Sequence, residues 1–316
     1  MRHNPKDCGT VGAGNDTAAI NAAIQAIRQD FGGVLELNGA NTTPGNRRYL
    51  VDRINGTAAP KMKIEVDPGV IVEGSLQTAQ TRGPILDLTG SPEVDIENGY
   101  WWAGTGNPWD GNSRQPPTIS PTAVILIANA DKTRLVSVKP WGYANSMVAV
   151  ISGVSVTIDN CQLLSLSGLQ TEFGASMSPP SLMLTSNPGE WGITSSFQTI
   201  QNYGYVNDVN VVNSEVHLVG TTQGVGWTTY MRNANHIFFS GGHSDCSQTA
   251  HMLFQGLNET VTIVGHKYYT ELGHLPTHIF EGQCNNLRVY NPWPQSLQSS
   301  CSGTPVSGGF PGYVQG

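Results

Sequence analysis

The amino-acid sequence predicts an all-β fold, a right-handed parallel β-helix that is closed at its N-terminus by a short capping α-helix. Two observations lead to this prediction. Alternating apolar strands recur about every 25 residues, a spacing typical of solenoids. The composition is that of a turn-rich chain with a neutral polar surface, because only 12% of its 316 residues are charged and 37 are glycine.

The first forty residues carry the sharpest local pattern, an amphipathic helix followed by a strand. Asp16 or Thr17 can cap this helix. Its apolar residues recur at helical spacing and form one face: Ala19, Ile20, Ala23, Ile24 and Ile27. The helix should end before the glycines at 32–33, and residues 34–37 follow as a strand. We expect residues 1–40 to form a cap that covers the first coil of a solenoid and its exposed strand edges.

A loose repeat follows the cap and should build the β-helix over residues 41–291. Alternating strands are predicted to begin at Val94, Leu135, Val154, Val209, Ile237, Val261 and Leu287. The last four are separated by 28, 24 and 26 residues. Because alternate side chains of a strand point the same way, Val154, Val156 and Ile158 should stack on Val209 and Val211. A β-sandwich, the rival fold, would need turns about every 8–12 residues, and these do not dominate.

Two stretches break the period, at about residues 100–122 and 165–206. Insertions in a solenoid leave as loops from one side and often build the binding groove. Residues 292–316 have no strand pattern, and we expect an irregular C-terminal tail there.

Charge and composition exclude several classes of partner. The formal net charge is −7 and the isoelectric point is about 5.5, with no cluster of Lys and Arg, so nucleic acids and anionic membranes are poor partners. No apolar run is long enough to span a membrane. The five cysteines include no CxxC motif, and we expect no metal site and no cofactor.

Tryptophans in the two insertions are candidates for binding sugar rings, since their flat faces can stack on the apolar faces of sugars and neighbouring polar groups can bind hydroxyls. The predicted substrate-binding residues are Trp101, Trp102, Trp109, Asp110, Trp191 and Arg232. The alternative is that these tryptophans pack the loops against the coils.

Histidines provide the second candidate group, because six of the eight fall between residues 236 and 278, with carboxylates and tyrosines among them. The predicted catalytic residues are His251, His278, Glu281, Glu271, Asp245 and Tyr269. If one coil separates His251 from His278, the two side chains should stack about 4.8 Å apart along the axis. Arg232 should lie one coil earlier, near the same face.

Two reactions suit such a group of side chains. A glycosidase needs two carboxyl groups, and a lyase needs a base, an acid and a cationic group. The alternative is a surface ladder of polar residues with structural histidines. A metal held by His251, His278 and Glu281 has no recognisable motif, and we expect none.

The N-terminus also resembles a known superfamily, through KDCGTVGAGNDTAAI at residues 6–20 and GGVLEL at residues 32–37. These segments resemble the N-terminal signature of the pectate-lyase-like superfamily, common in phage tailspikes and bacterial polysaccharide lyases. The loop at residues 14–17 is shorter than is usual there, and the likeness covers the first forty residues.

This resemblance implies a carbohydrate-binding β-helix of the tailspike depolymerase type, a lyase or a glycoside hydrolase. It further implies a polysaccharide partner, an extracellular or virion-surface location and a homotrimer. The alternative function is a non-catalytic structural or adhesive fibre component of a virion or cell surface. A secreted plant-cell-wall lyase ranks below both, because the clustered aspartates that bind calcium in those enzymes are missing.

Overall fold

A computed structural model describes residues 1–41, 47–78, 80, 82–166, 177–219, 225–246, 250–270, 278–290 and 299–302. Within these ranges the chain forms three all-parallel β-sheets and two α-helices, Pro5–Cys8 (α1) and Thr17–Gln29 (α2). Single 3₁₀ turns occur at Gly39–Asn41 and Glu190–Gly192. Neither described α-helix has the length and apolar character needed to cross a membrane.

The strands follow one another around the solenoid in chain order. They are β1 (Arg2–His3), β2 (Gly33–Leu37), β3 (Arg48–Leu50), β4 (Ile54–Asn55), β5 (Lys61–Val66), β6 (Ile71–Glu73), β7 (Leu86–Asp87), β8 (Glu93–Glu97), β9 (Tyr100–Ala103), β10 (Ile125–Ala128), β11 (Thr133–Val136), β12 (Lys139–Gly142), β13 (Val148–Ile151), β14 (Val154–Asp159), β15 (Gln162–Ser165), β16 (Met177–Ser178), β17 (Leu182–Thr185), β18 (Val206–Val212), β19 (Glu215–Leu218), β20 (Val225–Arg232), β21 (Ala234–Ser240), β22 (His243–Cys246), β23 (Ala250–Gln255), β24 (Thr260–Val264), β25 (Lys267–Thr270), β26 (His278–Gln283), β27 (Asn286–Tyr290) and β28 (Ser299–Ser302).

Each coil contributes one strand to each sheet, and neighbouring coils pair in parallel. Sheet 1 has the order β1-β2-β5-β8-β11-β14-β18-β21-β24-β27. Sheet 2 has the order β28-β26-β23-β20-β17-β13-β10-β7-β4, with β16 also paired to β20. Sheet 3 has the order β25-β22-β19-β15-β12-β9-β6-β3. This arrangement confirms the predicted parallel β-helix.

The core is a set of columns of apolar side chains that run along the solenoid. One column of sheet 1 contains Leu35, Ile64, Ile96, Leu135, Ile158, Val211, Phe239, Ile263 and Val289, each paired with the next and at most 1% exposed. The predicted register is confirmed, because Val209 pairs with Ile237, Ile237 with Val261, and Val261 with Leu287. The spacing of apolar residues in the sequence therefore corresponds to one coil of the solenoid.

Helix α2 closes the N-terminal end as predicted, and its five expected apolar residues are the ones that are buried. Asp16 does not cap the helix with its side chain. Its carboxylate instead accepts hydrogen bonds from Gly12 N at 2.6 Å and Leu50 N at 2.8 Å. The buried Asp16 therefore ties the N-terminal loop to the end of β3, and this bond secures the cap to the first coil.

The corner between sheets 1 and 3 repeats one backbone conformation. Asn98, Asn160 and Asn213 have φ angles of 63°, 53° and 50°, in the left-handed region. Asparagine tolerates this region better than most residues, which explains its recurrence at this corner. The chain can thus leave sheet 1 and enter sheet 3 within two residues in the six coils from β8 to β25.

Both predicted insertions contain strands of the solenoid as well as loops. Residues 100–103 form β9 of sheet 3, and residues 182–185 form β17 of sheet 2. Part of the second stretch, residues 167–176, lies outside the described residues. Of the predicted irregular tail, residues 299–302 form β28 beside β26, and the remainder lies outside the described residues.

Candidate functional site

The outward side of sheet 3 gathers the polar and aromatic side chains of several coils. In β19, Val216 and Leu218 are buried in the coil, so Glu215 and His217 point outward by strand alternation. The same alternation directs His243 and Asp245 of β22 outward, and it directs Lys267 and Tyr269 of β25 outward. We call the surface formed by β9, β12, β15, β19, β22 and β25 the sheet 3 face.

Register places these six residues in two parallel columns. Glu215 pairs with His243, which pairs with Lys267, and His217 pairs with Asp245, which pairs with Tyr269. Parallel neighbours lie about 4.8 Å apart along the hydrogen-bonding direction. The six residues therefore occupy one compact surface across three coils, which we call the polar cluster.

Short contacts link the members of the polar cluster. His217 lies between two carboxylates, with its Nε2 3.4 Å from Glu215 Oε2 and its Nδ1 3.9 Å from Asp245 Oδ2. The ring of His243 lies edge-on to His217 at a centroid distance of 4.9 Å and to Tyr269 at 5.3 Å. Gln162 Nε2 donates to Glu215 Oε2 at 2.7 Å and so orients that carboxylate.

Burial shapes the electrostatics of the polar cluster. The side chains of His217, Glu215 and Asp245 are 20%, 33% and 28% exposed, so they are partly screened from water and still reachable. Burial, with a smaller contribution from His217, lowers the pKa of His243. Burial therefore favours the neutral form of His243.

An aromatic stretch continues the same face toward the N-terminus. Trp102 pairs with Trp141, Trp141 with Leu164, and Leu164 with His217, so this column leads directly to the polar cluster. Trp102 is fully buried beneath its neighbours, whereas Trp141 is partly exposed. In the adjacent column, Tyr100 lies edge-on to Trp109 at 4.7 Å.

Two depressions border this face. One of about 300 Å³ is lined by Trp141, Gln162, Leu164, Glu215 and His217, and it joins the aromatic stretch to the polar cluster. A groove of about 840 Å³ runs along the corner with sheet 1, bordered by Tyr100, Lys139, Gln162 and Glu215. The face thus offers a path along the axis rather than an enclosed pocket.

Of the predicted catalytic residues, Asp245 and Tyr269 lie together on the sheet 3 face. Glu281 lies elsewhere, on the outer side of sheet 2, where its Oε2 accepts a hydrogen bond from Trp227 Nε1 at 2.9 Å. Glu271 and the side chain of His278 lie outside the described residues.

His251 does not face a substrate surface, contrary to the prediction. Its side chain is fully buried in the coil, 5.1 Å from the ring of Tyr268, and burial lowers its pKa to about 3. Among the described residues, neither ring nitrogen has a hydrogen-bond partner. The predicted stacking on His278 is also wrong by one residue, because His278 pairs with Ala250.

The reason for the error is an interruption of the strand alternation. Trp227 pairs with Ala250 and Thr229 with Met252, but the hydroxyl of Thr228 donates to the carbonyl oxygen of His251 between them. Ala250 packs outside the coil and Met252 packs inside it. His251 is consequently turned inward.

The predicted sugar-binding residues are spread over the molecule. Trp101 is fully buried in the core and Trp102 is buried beneath the sheet 3 face, whereas Trp109 is 50% exposed. Asp110 is exposed in the neighbouring loop, where its Oδ1 accepts from Asn112 N at 3.0 Å.

Trp191 and Arg232 lie on the outer side of sheet 2. Arg232 Nη1 lies 2.8 Å from Glu190 Oε1, and the Tyr230 hydroxyl donates to the same oxygen at 2.5 Å. Trp191 lies edge-on to Tyr230 at 6.0 Å. These residues form a separate cluster, in which burial and Glu190 raise the pKa of Tyr230.

Sequence reasoning missed Glu215, His217 and Trp141. A signal for the first two was present, because EVHL at residues 215–218 alternates polar and apolar residues. Residue 215 also precedes His243 by one coil. Trp141 carried no comparable signal, since it stands alone in a short strand.

No protein-family description matches this sequence, and no curated protein matches it. Solved structures do match. PfbA, a surface adhesin of Streptococcus pneumoniae, has a TM-score of 0.57 and 13% identity, over 92% of this chain and 72% of its own. The enzymatically active domain of tailspike protein 2 of bacteriophage CBA120 has a TM-score of 0.52 and 10% identity, over 96% of this chain and 43% of its own.

A third match is the ORF18 protein of Geobacillus virus E2, with a TM-score of 0.52 and 10% identity, over 97% of this chain and 60% of its own. At these identities the likeness concerns the fold. Together with the three parallel sheets, it confirms the predicted right-handed parallel β-helix fold.

Proposed function

We propose that this protein binds a polysaccharide lengthwise along the sheet 3 face and cleaves it at the polar cluster. The observation that carries the proposal is the continuous outward column from Trp102 and Trp141 through His217 to Asp245 and Tyr269. Consecutive positions are about 4.8 Å apart, so the column presents a repeating surface to a repeating ligand.

The aromatic stretch supplies the groups for holding the chain. An aromatic ring offers a flat apolar surface to a sugar ring, and the neighbouring Lys139 and Gln162 can bind hydroxyl or carboxylate groups. In this stretch Trp109 is exposed and Trp141 is partly exposed. Binding here would lead the chain across the depression that borders Glu215 and His217.

The polar cluster supplies the groups for breaking a glycosidic bond. We assign proton transfer to Asp245 and Tyr269, which are adjacent in register. Asp245 would accept a proton as a carboxylate, and Tyr269 would donate one to the leaving oxygen. Elimination requires such a pair, whereas hydrolysis would use Asp245 as one of two carboxyl groups; positioned groups of this kind typically contribute about 10²–10⁴-fold in rate.

The proteins that share the fold support a role at a surface. One is a surface adhesin and another is the enzymatically active domain of a tailspike. We accordingly propose an extracellular or virion-surface location and a homotrimer. Size-exclusion chromatography with light scattering would measure the number of chains.

The test is incubation of the protein with a panel of capsular and acidic polysaccharides. New reducing ends would be measured together with the ultraviolet absorbance of unsaturated uronates. Reducing ends with absorbance would indicate elimination, and reducing ends alone would indicate hydrolysis. Asp245→Asn and Tyr269→Phe should each lower the cleavage rate at least about 100-fold.

Matched controls are Asp208→Asn and Tyr205→Phe, because these residues are exposed or partly exposed at sheet 1 and outside the sheet 3 face. They should cleave at the wild-type rate. Full activity of both Asp245→Asn and Tyr269→Phe would contradict the assigned roles. Binding without any product across the panel would instead support the adhesive function.

A further inference from the structure

Three side chains of the polar cluster bring metal-binding atoms unusually close together. One ligand atom from each of Glu215, His217 and His243 lies within 4.8 Å of the others. Glu215 and His217 are two residues apart on β19 and point to the same side, while His243 lies beside Glu215 on the next coil. The backbone of two rigid strands therefore fixes the arrangement.

The distances suit a small tetrahedral ion. His217 Nε2 and Glu215 Oε2 are 3.4 Å apart. Two ligands about 2.0–2.1 Å from a tetrahedral zinc ion are separated by about 3.4 Å, so this pair already spans one edge of the coordination shell. A small rotation of the partly buried His243 ring would bring in the third ligand.

The groups behind the ligands are those that orient metal-binding side chains. The second nitrogen of His217, Nδ1, faces Asp245 Oδ2 at 3.9 Å, so a carboxylate lies on the side of the ring away from Nε2. Gln162 Nε2 donates to Glu215 Oε2 at 2.7 Å and holds that carboxylate in place.

We propose that Glu215, His217 and His243 form a binding site for a divalent transition-metal ion of the zinc type. This departs from the expectation of no metal drawn from the sequence. Two imidazoles and one carboxylate favour zinc, cobalt or nickel, whereas calcium and magnesium prefer six or more oxygen ligands. Three protein ligands on an open surface leave a coordination position for water or a bound ligand.

The inference goes beyond cleavage and does not depend on it. The site lies between the aromatic stretch and the pair Asp245 and Tyr269, so its open position would face a bound chain. It also joins two neighbouring coils through their side chains. Metal binding can therefore be measured in the absence of any polysaccharide.

The experiment uses the whole protein, treated with a chelator and then titrated with zinc chloride by calorimetry. Bound metal would be counted by mass spectrometry after dialysis. We expect one saturable zinc per chain, unaffected by excess calcium or magnesium, and a rise in melting temperature on zinc addition. His217→Ala and His243→Ala should each weaken zinc binding at least about 10-fold.

The matched control is His236→Ala, since His236 is an exposed histidine that also faces an aspartate, with Nδ1 3.5 Å from Asp208 Oδ1. It should bind zinc as the wild type does. Circular dichroism and metal-free melting would confirm that each variant is folded. Absence of saturable binding, equal displacement by calcium, or unchanged affinity in both His217→Ala and His243→Ala would overturn the proposal.

Discussion

Two pairs of histidines in the C-terminal coils have opposite environments. His217 and His243 lie on the outer surface of sheet 3, partly exposed and near carboxylates. His251 and His266 lie inside the solenoid and are at most 1% exposed. His266 is satisfied there, because its Nε2 lies 2.9 Å from Ser244 Oγ and its Nδ1 lies 2.7 Å from Gly241 O.

The difference shows that residues close together in the sequence need not lie on the same surface of the solenoid. In a strand, a shift of one residue moves a side chain from the outer to the inner side. Histidines on the outer side can meet ligands and metals, whereas those on the inner side contribute to packing. Substitutions at inner and outer positions should therefore differ in their effects.

The largest effect should come from an inner tryptophan. Trp101→Ala removes a fully buried side chain from the core, and we expect it to lower the free energy of unfolding by about 3–5 kcal/mol. The exposed Trp109→Ala should lower it by less than about 1 kcal/mol. Urea titrations would measure both. Equal losses of unfolding free energy in Trp101→Ala and Trp109→Ala would contradict the distinction between inner and outer positions.

The inner histidines should make stability depend on pH. Burial lowers the pKa of His251 to about 3 and that of His266 to about 4, from about 6.5 in the unfolded chain. Below pH 6.5 the unfolded state therefore binds protons that the folded state excludes. Their stabilising effect is complete above about pH 6.5 and is lost progressively as the pH falls toward 4.

At about pH 5 this linkage amounts to about 2 kcal/mol for each inner histidine. His251→Leu should restore the unfolding free energy that His251 costs at pH 5. It should thereby flatten the curve of unfolding free energy against pH. The exposed His236→Leu, measured in parallel, serves as the control for replacing a histidine by leucine. A wild-type protein with equal stability at pH 7 and pH 5 would show that these histidines are not buried as described.

The smallest effect should come from an outer tryptophan. Trp141→Ala should weaken polysaccharide binding about 3–10-fold, since one aromatic contact contributes about 0.5–1.5 kcal/mol. Its melting temperature should stay within a few degrees of wild type. Trp191→Ala alters the outer side of sheet 2 instead and should leave binding unchanged. Affinity electrophoresis would compare the variants, and the opposite result would move the binding surface to sheet 2.

The solenoid could be predicted from the sequence because the spacing of apolar residues equals the length of one coil. Val209, Ile237, Val261 and Leu287 occupy one column, as their spacing indicated. The cap was predictable for the same reason, since the face of α2 repeats with the helical period. Regular periodicity thus determined the fold.

Two of the predicted catalytic residues, Asp245 and Tyr269, lie side by side in the structure. Their catalytic role stays a prediction. His251 was misplaced because the alternation is interrupted beside Thr228, which no spacing in the sequence reveals. Arg232 lies one coil before the strand of His251, as expected, and the predicted sugar-binding roles of Trp191 and Arg232 stay predictions.

The coils combine a regular core with loops whose length varies. Ile158 pairs with Val211 in good register although a long stretch of chain intervenes between them. The pairing of core residues between neighbouring coils therefore does not depend on the length of the loop that leaves the solenoid at a corner. A loop beside the sheet 3 face could be exchanged for another without disturbing the ladder, so new ligand preferences can evolve, or be engineered, on an unchanged scaffold.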